Sequence, residues 1–246
     1  MKENSFEGQE QKKKWYTRWW AFILFVFLIM IFAFLPLFLF QTFKIYREVK
    51  NGTYVAEADL TVEPPYDMKE VVSATSASWG APNPKVEIVV FGDFNCSKSK
   101  ETAWILRELL ARNQDILKIY WRNLPILSQS SYELAMAGVC AGRQDQFLLA
   151  YEAFWDKQGT LNDQITIWDL LLNLGLNKKK LDVCLNNVLT EAEIKKDYFV
   201  ARDLEISGTP TFFVNGYRLQ GHVPLIYWEQ LIKKLVNVYD KKVNPN

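Results

Sequence analysis

Between Trp19 and Phe40 the chain runs 22 residues without a charged side chain. No other stretch restricts the fold as strongly. At about 1.5 Å per residue, a helix of that length reaches about 33 Å, enough to cross the hydrocarbon core of a bilayer. A helix is the form that satisfies every backbone polar group inside the run. Trp15, Tyr16, Trp19 and Trp20 stand where an interfacial aromatic belt belongs. Pro36 lies within the run, a position that membrane helices tolerate. A cleaved signal peptide and a buried core helix are the alternatives. The run is longer than a signal-peptide core, and no small-residue cleavage pattern follows Phe40. Lys2, Lys12, Lys13, Lys14 and Arg18 precede it, against Lys44, Arg47 and Lys50 after it. The positive-inside rule then makes 1–18 a cytoplasmic tail and 19–40 a bilayer-spanning anchor, with the remaining chain outside the cytoplasmic membrane.

The 246 residues fit one domain plus attachments. A net charge of +1 offers no basic face, so no nucleic-acid partner is expected. Residues 41–82 read as a stalk and lead-in segment. Asn51-Gly52, Pro64-Pro65 and the Ser/Ala/Thr run Ser73–Ser78 all favour turns or irregular chain. Gly80-Ala81-Pro82-Asn83-Pro84 marks a domain boundary.

Beyond it, the apolar run Val86–Phe91 predicts a buried strand, broken by Gly92. A helix-compatible segment begins close to Cys96. A cysteine at a strand-to-helix junction meets unpaired N–H groups and the positive end of the helix dipole, which favour thiolate over thiol. Lys98 and Lys100 add positive charge nearby. The plainer alternative is a small buried hydrophobe. Trp104, Ile105, Leu106, Leu109 and Leu110 fall at helical spacing, and Leu117–Trp121 alternates as a second strand. Strand, helix and strand make a parallel β-α-β unit. Helical periodicity then fills Ser131–Ala141, Gln146–Lys157, Ile165–Leu174, Lys179–Leu185 and about 191–204, with Asn162, Asn177 and Thr190 as candidate caps. Tyr151, Phe154, Trp155 and Trp168 lie on apolar helical faces and are expected in the core. Thr211–Val214 and Tyr217–Gln220 flank Asn215-Gly216, a strong hairpin signal, and a last helix covers about 225–238.

Two segments carry a family resemblance. Phe91-Gly92-Asp93-Phe94-Asn95-Cys96 resembles the F-x-D-F-x-C that opens the active site of DsbA-like thioredoxin-fold proteins. Ser207-Gly208-Thr209-Pro210-Thr211-Phe212-Phe213-Val214-Asn215-Gly216 is similar to that family's G-T-P-T-F-F-V-N-G stretch. The resemblance covers about 82–238. It implies an α/β thioredoxin fold with an inserted helical domain, here preceded by a single N-terminal transmembrane helix. The core would be 83–128 and 205–246, and the insertion 129–204. It implies a cis peptide bond at Thr209-Pro210 facing Cys96. Relatives carry cysteines in stretches like Cys140-Ala141-Gly142 and Cys184-Leu185. Three cysteines allow three pairings, and outside the cytoplasm a Cys140–Cys184 bridge is the economical one, with two unbonded core cysteines as the alternative. The bridge would leave Cys96 free.

The family continues C-P-x-C, whereas this chain has Cys96-Ser97-Lys98-Ser99. A hydroxyl is not a redox group, so Ser99 cannot resolve a mixed disulfide. The expected function is monothiol exchange through Cys96, with cysteine-containing clients or a small thiol and an external resolving thiol. Ser99 would hydrogen-bond the thiolate, and Thr209 and Pro210 would complete the site. One alternative is a redox-silent module holding extended segments in the cis-proline groove. Another is a serine engineered to trap intermediates, although the missing proline favours natural divergence. A buried proton-relaying acid would be expected six residues before Cys96, where Val90 stands. Asp93 could take part in proton transfer, but suits turn formation better. With His222 the sole histidine, a histidine-based metal site is not expected, and the chemistry needs no cofactor.

Overall fold

The computed structural model describes residues 16–50 and 64–243. The tail at 1–15 and the stalk at 51–63, with Asn51-Gly52, lie outside the described residues. The chain divides into two compact units between Tyr54 and Val55.

In the first unit, helix α1 (Tyr16–Lys50) contains Pro36. Its stretch Phe22–Lys44 has mean hydropathy 3.1 and is long and apolar enough to cross a membrane. Every side chain from 22 to 44 is exposed. The helix continues past the expected 19–40 at both ends.

The second unit is built on strand β2 (Val86–Gly92), whose near-continuous apolar run is explained by burial on both faces. Val86, Ile88 and Val90 point into the larger core, and Val89 and Phe91 into a second one beneath the sheet. Helix α3 (Ser97–Arg112) returns the chain to β3 (Leu117–Asn123), parallel to β2. Strand β4 (Thr211–Val214) runs antiparallel to β2 on the other side, and β5 (Tyr217–Gln220) closes that edge. Their turn is Asn215-Gly216, both at positive φ (47° and 86°), as a two-residue hairpin requires. Helix α9 (Leu225–Val243) buries Trp228 against Phe212, ring centroids 5.2 Å apart.

The far edge corrects the expected segmentation. Ala77–Gly80 is strand β1, antiparallel to β3, and a short helix α2 (Met68–Val71) precedes it. Both fall inside the stretch read as stalk and lead-in. Tertiary packing overrides the irregular composition: Trp79 stacks near Phe147 and Tyr151 at 5.9 and 5.4 Å. Trp104, counted on the apolar face of α3, is 59% exposed; the buried stripe is Ala103, Ile105, Leu106 and Leu109.

Between β3 and β4 lie α4 (Gln129–Gly142), α5 (Phe147–Asp156), α6 (Gln164–Asn173), α7 (Lys178–Leu185) and α8 (Val188–Asp203). Asn177 caps α7, accepting from Lys180 N–H at 3.0 Å. Two other caps differ from expectation. Asp163 rather than Asn162 caps α6, and Asn187 rather than Thr190 caps α8. Thr190 is buried one turn inside, where its hydroxyl donates to the Cys184 carbonyl at 2.7 Å. Cys140 and Cys184 are joined by a disulfide that ties α4 to α7, Cα atoms 5.7 Å apart. The insertion meets the sheet through a buried ion pair. Arg122 on β3 donates through Nε to Asp197 on α8 at 2.9 Å and through Nη1 to the Val71 carbonyl at 2.7 Å. Burial pushes the Asp197 carboxyl up, and the guanidinium opposes it.

Candidate functional site

Three backbone features converge at the end of β2. The strand ends at Gly92, where any Cβ would collide with the Trp121 ring. The chain then turns through Asp93 and enters α3 with Cys96 at the N-cap position. Because β4 is paired so that Thr211 faces Phe91, the loop just before β4 is delivered beside that turn. The Thr209-Pro210 bond in this loop is cis. Cys96 Sγ lies 3.3 Å from the Thr209 carbonyl oxygen. The loop is held from behind, with Thr211 Oγ1 donating to the Gly208 carbonyl and Gly221 N–H to the Pro210 carbonyl, both at 2.8 Å.

The turn is anchored on three sides. The buried Asp93 carboxylate accepts from the N–H of Asn95 (2.8 Å), Ile126 (2.9 Å) and Leu127 (3.1 Å). With three backbone donors on it, Asp93 organises the turn and ties it to the chain leaving β3. Asn95 Nδ2 donates to the hydroxyls of Ser128 (2.9 Å) and Ser130 (2.8 Å) at the start of α4. Gln158, from the insertion, donates to the carbonyls of Phe94 and Cys96. Sequence reasoning missed Asn95 and Gln158. Asn95 stood inside the motif at a variable position, but Gln158 carries no sequence signal, because its partners lie 62 and 64 residues away.

Cys96 is 9% exposed. Burial pushes its thiol up, but hydrogen bonds outweigh this and the group titrates below its ordinary value. The lowering influences are the polar groups around the sulfur, the Thr209 and Ser99 side chains and the backbone at Ser99 and Lys98. While the sulfur is protonated, its hydrogen points at the Thr209 carbonyl and the buried Ser99 hydroxyl is unpartnered.

The two lysines beside Cys96 are both on the exposed side of α3. The Lys98 ammonium is exposed and bonded to Glu101 at 3.0 and 3.1 Å. Lys100 is exposed, and its N–H bonds the Cys96 carbonyl at 3.1 Å. His222 joins this charged rim, with Nδ1 3.4 Å from Glu101.

Cys140 and Cys184 stand apart from the turn. Cys140 is fully buried in the larger core, while Cys184 is 7% exposed, with Arg143 Nη1 3.4 Å from its sulfur. Both sulfurs are buried, and a thiolate attacking Cys184, the less deeply buried of the two, would expel Cys140 as a thiolate into apolar surroundings, an unfavourable leaving position. The bridge is therefore suited to holding α4 and α7 together.

Comparison with known proteins places this geometry. The profile of the thioredoxin family matches residues 73–234. A probable disulfide bond formation protein D from Bacillus anthracis is 28% identical over 156 residues, covering 58% of this chain and 71% of that one. A Na(+)/H(+) antiporter NhaA 1 from Salinispora arenicola is 33% identical over 141 residues, covering 55% of this chain but 21% of the antiporter. The crystal structure of the thiol-disulfide exchange protein alpha-DsbA2 from Wolbachia pipientis superposes with a TM-score of 0.63 at 20% identity, over 68% of this chain and 91% of that one.

Proposed function

Because this chain belongs to the thioredoxin family, we propose that it is a membrane-anchored thiol–disulfide oxidoreductase whose extracytoplasmic domain works through Cys96 alone. The carrying observation is the placement of a free, low-titrating cysteine at the N-cap of α3, against a cis-proline loop. The name of the Bacillus anthracis relative supports the same chemistry. The anchor is α1, with the bilayer as its partner. The clients are cysteine-containing proteins or a small thiol.

The exchange step needs no cofactor. The Cys96 thiolate attacks one sulfur of a client disulfide. That S–S bond breaks, the second client sulfur leaves as a thiolate, and a Cys96–client disulfide forms. An extended client segment pairs its backbone with the Thr209 loop, as in strand addition. Ser99 holds the thiolate before attack but has no sulfur with which to resolve the adduct. An external thiolate attacks the client sulfur, forms a new disulfide with it and returns Cys96 as thiolate.

The test is incubation of the full chain with an oxidised extracytoplasmic protein fraction, read on non-reducing gels. Reductant-sensitive adducts should form and persist, and Cys96→Ala should abolish them. Adducts retained by that variant would exclude this site. No adducts, together with Cys96 alkylating no faster than a model thiol, would favour the redox-silent binding module. Ser99→Cys should add dithiol oxidase activity.

A further inference from the structure

Gln158 sits in the turn after α5, and Gly159 (φ 89°) redirects the chain immediately beyond it. Its side-chain amide reaches back to the reactive turn, with Nε2 2.8 Å from the Phe94 carbonyl oxygen and 3.1 Å from that of Cys96. These carbonyls bracket Asn95, and the second belongs to the residue whose sulfur reacts. The amide is held in place by packing: Phe154 and Trp155, at the end of the same helix, each lie 5.0 Å from the Phe94 ring. The Cys96 carbonyl also accepts the first helical bond of α3, from Lys100 N–H. Its direction therefore sets the angle at which the opening turn of α3 presents its N–H groups.

We propose that Gln158 is a positioning residue for Cys96: by bonding both carbonyls of the turn, it holds Cys96 at the N-cap of α3, with its sulfur at the helix end where N–H groups are unpaired. An amide suits the task, since both acceptors are carbonyl oxygens and the –NH₂ group has two hydrogens to give. Without it, the Phe94 carbonyl loses its side-chain donor and the Cys96 carbonyl keeps Lys100 N–H alone, which loosens the turn that carries the sulfur. The helical insertion thereby helps set the reactivity of a cysteine in the thioredoxin core. The proposal deepens the monothiol reading and rests on it for its consequence in exchange, while its test reads the thiolate directly.

The experiment uses the full chain in detergent. Thiolate absorbance and the pH profile of iodoacetamide alkylation are measured for the parent, Gln158→Met, Gln158→Glu and Gln158→Asn, with Cys96→Ala as baseline. Methionine keeps the length and removes the donors. The Cys96 midpoint should rise by about one unit in Gln158→Met, the scale of one hydrogen bond between the two protonation states. Alkylation near neutral pH should fall only about three- to fourfold, because a less acidic thiol gives a more nucleophilic thiolate. Gln158→Glu, with no N–H to offer, should shift at least as far, and Gln158→Asn, shorter but still a donor, should lie between. Folded Gln158→Met and Gln158→Glu proteins with the parent's profile would overturn the proposal. If Gln158→Met does not fold, the other two variants decide by the same criterion. A parent that forms no adducts while the variants still shift would sink the exchange reading and leave the clamp standing. Adducts in the parent with unshifted variants would do the reverse.

Discussion

At Cys96 the balance of effects is visible group by group. Burial alone would push the thiol's titration up, and the polar groups around it outweigh that. The direction has a consequence for stability. A folded-state value below the ordinary one of about 8.5 means that the thiolate is better stabilised folded than unfolded. The contribution is fully present above the unfolded value and is lost as pH falls through the folded value. Denaturant unfolding of the parent and of Cys96→Ala should therefore diverge, in the parent's favour, as pH rises across that window. A constant difference across it would refute the shift. The same residues show what was legible. Cys96, Thr209 and Pro210, which the fold brings together, stand in local motifs, and Ser99 is singled out by its spacing to Cys96. Of the two lysines read as adding charge, Lys98 has Glu101 one helical turn away. A sequence shows which charges are near but not which are already paired.

At the level of elements, periodicity located the helices of the insertion and the Asn215-Gly216 hairpin. Caps were harder, since several polar residues adjoin each helix start and only backbone geometry selects one. Strand β1 was missed because Ala77–Gly80 has neither length nor a strong strand composition. It is a strand because β3 offers an edge and α5 offers rings for Trp79. Between α4 and α7, the Cys140–Cys184 bridge spans a sequence separation of 44. On the chain-entropy account, closing such a loop stabilises by about 4 kcal/mol. Reduction, or Cys184→Ala, should lower unfolding stability by that order, read by denaturant titration with and without reductant. An unchanged midpoint would mean that the two helices are held without the bridge.

For the molecule as a whole, the proposed topology can be tested by surface labelling. Lys179 is exposed on α7, remote in sequence from the anchor. In a Lys179→Cys variant in intact cells, a membrane-impermeant maleimide should label this position without lysis. Labelling that needs lysis would place the domain inside and remove the basis for an oxidising client pool. The sequence by itself determined the separate apolar helix, the β-α-β start, the helical insertion and the closing hairpin. These follow from hydropathy, periodicity and turn chemistry, which act between near neighbours. It also determined that one sulfur, not two, stands at the start of α3, so no disulfide can form within that turn. Only the tertiary structure decided which polar groups surround that sulfur, that Asp93 is held by three backbone N–H groups, and that Gln158 reaches the turn from another part of the chain. It also decided that Arg122 and Asp197 are buried against each other. Those outcomes depend on contacts between residues far apart in sequence, and the free energy that selects them arises only when the sheet and the insertion pack together.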